Sequence, residues 1–166
     1  MPDSEARRVT IASIGVRIGV DVGSVRVGVA ASDPQATMAF PVKAVQRKRD
    51  DSDLDELAAL IAEREAVEVV VGLPRSLSGA EGPAATAARS YAAALAERIA
   101  PVPVLFADER LTTVAAERSL RASRPRSSVR ERRAVIDAAA AAGILQSYLD
   151  AYNGRSRNGR DTDERE

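Results

Sequence analysis

The chain contains no histidine and no cysteine in its 166 residues. Those two absences remove Ser-His-Asp and Cys-His nucleophile systems, imidazole general bases, and zinc sites built on thiolate or imidazole. They also remove disulfides, which fits a cytoplasmic protein. Tryptophan is missing and aromatics are only 3% of the residues, which argues against a stacking platform for single-stranded bases. Formal net charge is zero, so there is no global basic signature of nucleic-acid binding. No apolar run approaches the roughly 18 residues of a membrane span. Met1 to Arg8 lacks the order of a signal peptide, so a cytoplasmic chain with no membrane partner is expected. What is left for chemistry is carboxylate. Carboxylates are hard oxygen ligands and suit Mg2+ or Mn2+.

Of the 24 basic residues, 22 are arginine, and alanine is abundant. Both read as coding bias rather than as a functional sign. The length fits one domain with a proper core. Residues 1–15 read as a flexible lead-in, 16–152 as a single domain, and 153–166 as a disordered polar tail. Within the domain, Val16–Val22 and Val25–Ser32 read as strands joined at Gly23-Ser24, a hairpin. Met38–Gln46 reads as a third strand, with Pro41 marking it for an edge. Asp51–Arg64 is helix-like, with Leu54, Leu57, Leu60 and Ile61 on one face. Val67–Val71 and Val102–Ala107 are short apolar runs of the kind buried on both faces of a parallel sheet. Helices are predicted at Pro83–Ala100, about 112–122 and 129–151. The order gives an α/β fold: a five-stranded mixed sheet with a three-strand antiparallel start, then parallel αβ units, flanked by helices.

Charge is uneven. Asp50 to Glu68 holds eight acids against one base, Arg64, and reads as a solvated helix face. Glu117 to Arg133 holds seven arginines against two acids. The break Ser123-Arg124-Pro125-Arg126-Ser127-Ser128 should form a loop just before the helix bearing Asp137. A basic arm there could hold phosphates without reading bases.

Asp21 lies in a strand with apolar neighbours, where an uncompensated carboxylate costs several kcal/mol. It has an ordinary reading as an Asx-type turn closing the hairpin. Gly23 and Gly28 beside it would allow close approach of a metal or phosphate. Asp-x-Gly also opens the phosphate loop of actin-like and sugar-kinase-like ATPases, but 166 residues leave no room for their second domain. Gly72 and Arg75 follow the next strand, where parallel sheets gather ligands. Asp108 and Glu109 end the strand after that. They point to opposite faces, so one can face a shared metal while the other caps a helix starting near Thr112. Asp137 shares an apolar helical stripe with Ala134, Ala141, Ile144 and Tyr148, and Arg133 one turn earlier could pair with it, a structural alternative to a metal-binding role. The alanine run 138–142 would let the helix lie close to the sheet. Three carboxylates from two strand ends and one packed helix could chelate two divalent ions, the arrangement that hydrolyses phosphodiesters without a protein base.

Four blocks carry a resemblance: Gly-Val-Asp-Val-Gly (19–23) with Arg26 and Gly28; Val-Gly-Leu-Pro (71–74); Asp-Glu-Arg-Leu-Thr-Thr (108–113); and Arg133-x-x-x-Asp137-x-Ala-Ala with Ile144-Leu145-Gln146-Ser147-Tyr148-Leu149. In this order, over about residues 16–150, they resemble the YqgF/RuvX family. The resemblance implies an RNase H-like fold and a nuclease maturing the 5′ end of pre-16S rRNA. It implies Asp21, Glu109 and Asp137 as catalytic and metal-binding acids, with Asp108 in reserve, and two Mg2+ or Mn2+ ions. It implies Arg26, Arg75, Arg110, Thr112 and Arg133 as phosphate- or carboxylate-binding partners. The block before Asp137, usually lysine-bearing in the family, here carries arginine. The substrate expected is structured nucleic acid, either rRNA precursor or branched DNA. A resolvase cutting four-way junctions symmetrically would need a homodimer. A non-catalytic nucleic-acid-binding module on the same fold is a third reading, against which the intact acid trio argues.

Overall fold

A computed structural model describes residues 14–76, 78–108 and 129–158. The described chain runs β1 (Arg17–Val22), β2 (Arg26–Ser32), β3 (Ala39–Gln46), α1 (Ser52–Glu63), β4 (Glu68–Leu73), α2 (Pro83–Ile99), β5 (Val104–Asp108) and α3 (Val129–Asn158). The five strands form one sheet in the order β3-β2-β1-β4-β5. β1–β2 and β2–β3 pair antiparallel, while β1–β4 and β4–β5 pair parallel. This is the expected mixed sheet. The helix expected near 112–122 lies outside the described residues.

The two faces of the sheet are built differently, and the site depends on that difference. On one face Ile18, Val20, Val27, Val29, Val69, Val71 and Leu73 pack against Leu54, Leu57 and Ile61 of α1 and Ala88, Tyr91 and Leu95 of α2. Alternate positions of each strand supply these branched side chains, as period-2 geometry requires. Each of the larger ones stabilises the fold by about 1.5–3 kcal/mol when buried. On the other face the strands offer Ala30 and Val70, against which Ala141, Ile144, Leu145 and Leu149 of α3 pack. Gly19 and Gly28 complete that face. A Cβ on Gly19 would lie 2.7 Å from Leu145 Cβ and 2.9 Å from the Ala141 carbonyl oxygen, and one on Gly28 would lie 2.0 Å from the Asp137 carbonyl oxygen. The missing side chains let the α3 backbone rest directly on β1 and β2.

β3 is an edge strand, as Pro41 indicated, and the β2–β3 register slips between Val29 and Ala30, so Val42 is bulged beside Pro41. Both features blunt an open edge. β5 departs from expectation. It is the opposite edge rather than a strand buried on both faces, and Phe106 is 39% exposed, with the Arg89 guanidinium 5.0 Å from its ring centre. The acidic stretch also departs from a uniformly solvated face. Asp53 and Glu68 are buried at 2% and 7% exposure; Asp53 accepts the Tyr91 hydroxyl at 3.3 Å and Glu68 faces Arg17 at 4.0 Å. α3 continues to Asn158, into the stretch read from sequence as a tail beginning at 153. Among the described residues no helix is long and apolar enough to cross a membrane.

Candidate active site

Register alone brings two of the three acids together. Gly19 faces α3, so Asp21, two residues further along β1, faces α3 as well. Asp21 is the antiparallel partner of Gly28, and Gly28 lies against the backbone of Asp137. Asp21 and Asp137 therefore meet at one end of the sheet, the end where β1, β4 and β5 finish. Both are half-buried. Val70 and Ala107 pack on the α3 side, and Gly72 follows Val70 by two, so the strands beside Asp21 carry only hydrogen or methyl at Gly28, Gly72 and Ala107. The β1–β2 turn is closed by the Gly23 N–H donating to the Arg26 carbonyl at 2.9 Å. A Cβ on Gly23 would meet that same carbonyl at 2.5 Å. Gly23 and Gly28 thus make room for the protein's own backbone.

Asp137 has a cationic partner, but it is not the one its helix suggested. Arg26 Nε donates to Asp137 Oδ2 at 2.7 Å, with the two side chains 17% and 30% exposed. Arg133 is exposed on α3. Arg26 lies two residues before Gly28 on β2 and so faces α3, where it meets Asp137. The contact links residues 111 apart and leaves no local sequence signal.

Strand parity fixes the face that Asp108 follows. Asp108 is in register with Leu73, and Leu73 belongs to the core beneath α1 and α2. Asp108 therefore follows the face opposite Asp21 and Asp137, which weighs against its reserve role. Glu109, Arg110 and Thr112 lie outside the described residues. Arg75, in the loop after β4, reaches Glu81 Oε1 at 3.5 Å. Glu81 also takes Arg89, whose guanidinium, followed by Arg75, holds the Glu81 carboxyl below its usual range. Among the described residues no three acids cluster closely enough to hold a metal ion. The pair they do supply, Asp21 and Asp137, is an all-oxygen donor set suited to Mg2+ or Mn2+.

A contact that sequence reasoning missed lies beside this pair. Gln46 is the register partner of Arg26, and its Oε1 accepts from Arg130 Nη2 at 3.2 Å. The first three turns of α3 are thereby tied to the ends of β2 and β3 by two side-chain contacts.

The family model RuvX, described as Holliday junction resolvase, matches residues 15–151. The chain belongs to the RuvX family. A relative from Frankia casuarinae is 58% identical over 145 residues, covering 87% of this chain and 71% of its own length. One from Mycolicibacterium paratuberculosis is 57% identical over 147 residues, covering 89% and 87%. Both carry the name "Putative pre-16S rRNA nuclease". Among solved structures, T. thermophilus RuvC in complex with Holliday junction substrate superposes with a TM-score of 0.54 at 15% identity, covering 86% of this chain and 96% of that one. At that identity the match speaks for the fold: this RuvX-family chain has the RNase H-like architecture that the strand order and the sequence blocks implied.

Proposed function

We propose that this chain is a metal-dependent endonuclease that hydrolyses phosphodiester bonds in the 5′ maturation of pre-16S rRNA, acting in the cytoplasm. The observation that carries the reading is the convergence of Asp21 and Asp137 on the α3 face at the ends of the parallel strands. The names carried by relatives at 57–58% identity support the substrate. Asp21 and Asp137 would hold the metal together with Glu109, which we assign over Asp108 because Asp108 follows the opposite face. Two Mg2+ or Mn2+ ions bound there supply an activated water and a counter-charge for the leaving oxygen. The chain's own residues do the rest. The acids fix the geometry, and Arg26 orients the Asp137 carboxylate through a charge-assisted bond. Arg75, Arg110, Thr112 and Arg133 take the phosphates that flank the scissile one.

The family description favours a second reading, a junction resolvase. Two symmetric cuts would then require a homodimer. One assay separates the readings: purified protein with Mn2+, on a pre-16S 5′ fragment and on a four-way DNA junction, with Asp21→Asn as control for contaminating nuclease. Cleavage of the RNA at one site, lost in Asp21→Asn, is the expected result. Symmetric junction cuts by a dimer would replace the first reading with the second. Full activity in a folded Asp21→Asn protein would remove Asp21 from the mechanism.

A further inference from the structure

Gly28 faces α3, so Arg26, two residues before it on β2, does too, and so does Gln46, the partner of Arg26 on β3. Arg26 binds Asp137 and Gln46 binds Arg130. Arg130 and Asp137 are seven residues apart on one helix and share a stripe, about 10 Å apart along the axis. That is roughly three base-pair rises of a nucleic-acid strand. Arg133 lies between them, exposed. Beyond Gln46 the chain continues into Arg47-Lys48-Arg49. Arg47 turns to the other face, donating to the Gly23 carbonyl at 3.3 Å with its guanidinium 5.2 Å from the Tyr91 ring centre. Lys48 and Arg49 are exposed. In a chain of zero net charge, residues 47–51 and 130–133 gather six cations against three acids, Asp50, Asp51 and Glu131. Asp50 accepts from both the backbone N–H and the hydroxyl of Ser52, at 3.1 and 2.7 Å.

We propose that Lys48, Arg49 and Arg130, continuous with Arg133, form a phosphate-binding rim that holds the substrate's sugar–phosphate backbone on the β3 side of the acid pair, with Gln46 positioning Arg130. The inference rests on the nuclease reading above and extends it to a surface that carries affinity rather than chemistry. Contacts of this kind fix the register of a nucleic acid without reading its bases. The rim also explains how a neutral protein can engage a polyanion: the cations are concentrated at the end of the sheet where the acids lie.

The test is fluorescence anisotropy on the full-length chain without divalent metal, so that nothing is cut. The probes are a labelled RNA duplex and a labelled four-way DNA junction, titrated between 50 and 200 mM salt. The triple variant Lys48→Ala/Arg49→Ala/Arg130→Ala is expected to bind both probes more weakly, whatever their sequence. Its slope of log affinity against log salt should be smaller by about 2–3, at close to 0.9 per lost phosphate contact on duplex. In cleavage, KM should rise while kcat at saturating substrate stays near wild type. Gln46→Ala should lower the slope only while Arg130 is present. Arg64→Ala, an exposed cation at the far end of α1, is the control and should change nothing. A wild-type protein that binds, with slope and affinity unmoved in the triple variant, overturns the rim and leaves the nuclease reading standing. A wild-type protein that binds neither probe overturns both.

Discussion

Replacing Gly28 with alanine adds one methyl group at the place where α3 touches the sheet. That Cβ would sit 2.0 Å from the Asp137 carbonyl oxygen, 2.5 Å from its carbonyl carbon and 3.2 Å from Ala138 N. All three are helix backbone, so no rotamer change relieves the clash. Carbon atoms rest at about 3.5–4 Å from their neighbours, so α3 must withdraw by roughly 1–1.5 Å at Asp137. Overpacking of this kind costs about 1–3 kcal/mol. Alanine in place of glycine returns about 0.5–1 kcal/mol of backbone entropy, too little to cancel it. At about 3 °C per kcal/mol for a domain of this size, Tm should fall by about 3–6 °C. The larger effect is on activity. A 1 Å misplacement of a reacting group can reduce rate about 100-fold, and here the displaced segment carries Asp137 away from Asp21. The assay is single-turnover cleavage at 25 °C, where the variant is still folded, alongside urea denaturation. Gly82→Ala is the control, since a Cβ there meets nothing within 4 Å. Wild-type stability and rate in Gly28→Ala would falsify the seating of α3 on β2 as the device that aligns the acids.

Two further predictions come from charged groups. A double-mutant cycle on Arg26→Ala and Asp137→Asn should give a coupling of about 1 kcal/mol, modest because both side chains keep some solvent contact and screening; a coupling near zero would mean the 2.7 Å contact does not hold in solution. Burial first, and then the negative charge of Asp53, raise the Tyr91 hydroxyl well above its ordinary pKa. A folded pKa above the unfolded value of about 10 means that the stability this group contributes is fully present below pH 10. It is lost as pH rises beyond 10 toward the folded pKa. Tyr91→Phe should therefore be less stable at neutral pH, because Asp53 loses a donor, yet show a shallower decline between about pH 10 and 11 in alkaline denaturation. Tyr148 is shifted in the same direction by burial and by Glu68, so the decline should shrink without vanishing. Equal alkaline slopes in wild type and variant would exclude Tyr91 as a contributor.

Local periodicity carried much of this fold into the sequence. The β-branched runs at 16–22, 25–32 and 67–71, the alternating apolar positions and the 3.6-residue stripes of α1, α2 and α3 each follow from neighbours a few residues apart. They could be read without knowing what they pack against. The chemistry proposed for the site has a related origin. The absence of histidine and cysteine pushed any catalytic reading toward carboxylates, and Asp137 stood out as an acid on an apolar stripe. Contacts between distant residues were another matter. Arg133, one helical turn before Asp137, could be read as a partner, but Arg133 is exposed and Arg26, 111 residues away, binds the carboxylate. Val102–Ala107 looked doubly buried because composition reports hydrophobicity and not sheet order, and β5 proved to be an edge. Asp53 and Glu68 looked solvated within a run of acids until the neighbours that bury them, Tyr91 and Arg17, were brought across the fold. Gly28 could be seen as a small residue, but only the register opposite Asp21 and the seating of α3 show what its missing side chain is for. Sequence by itself determined which segments are strands or helices and which residue types could do chemistry, because those depend on local geometry and intrinsic reactivity. Tertiary structure decided which faces meet, which charges pair and which face Asp108 follows, because each depends on register and packing between segments that only the folded chain brings together.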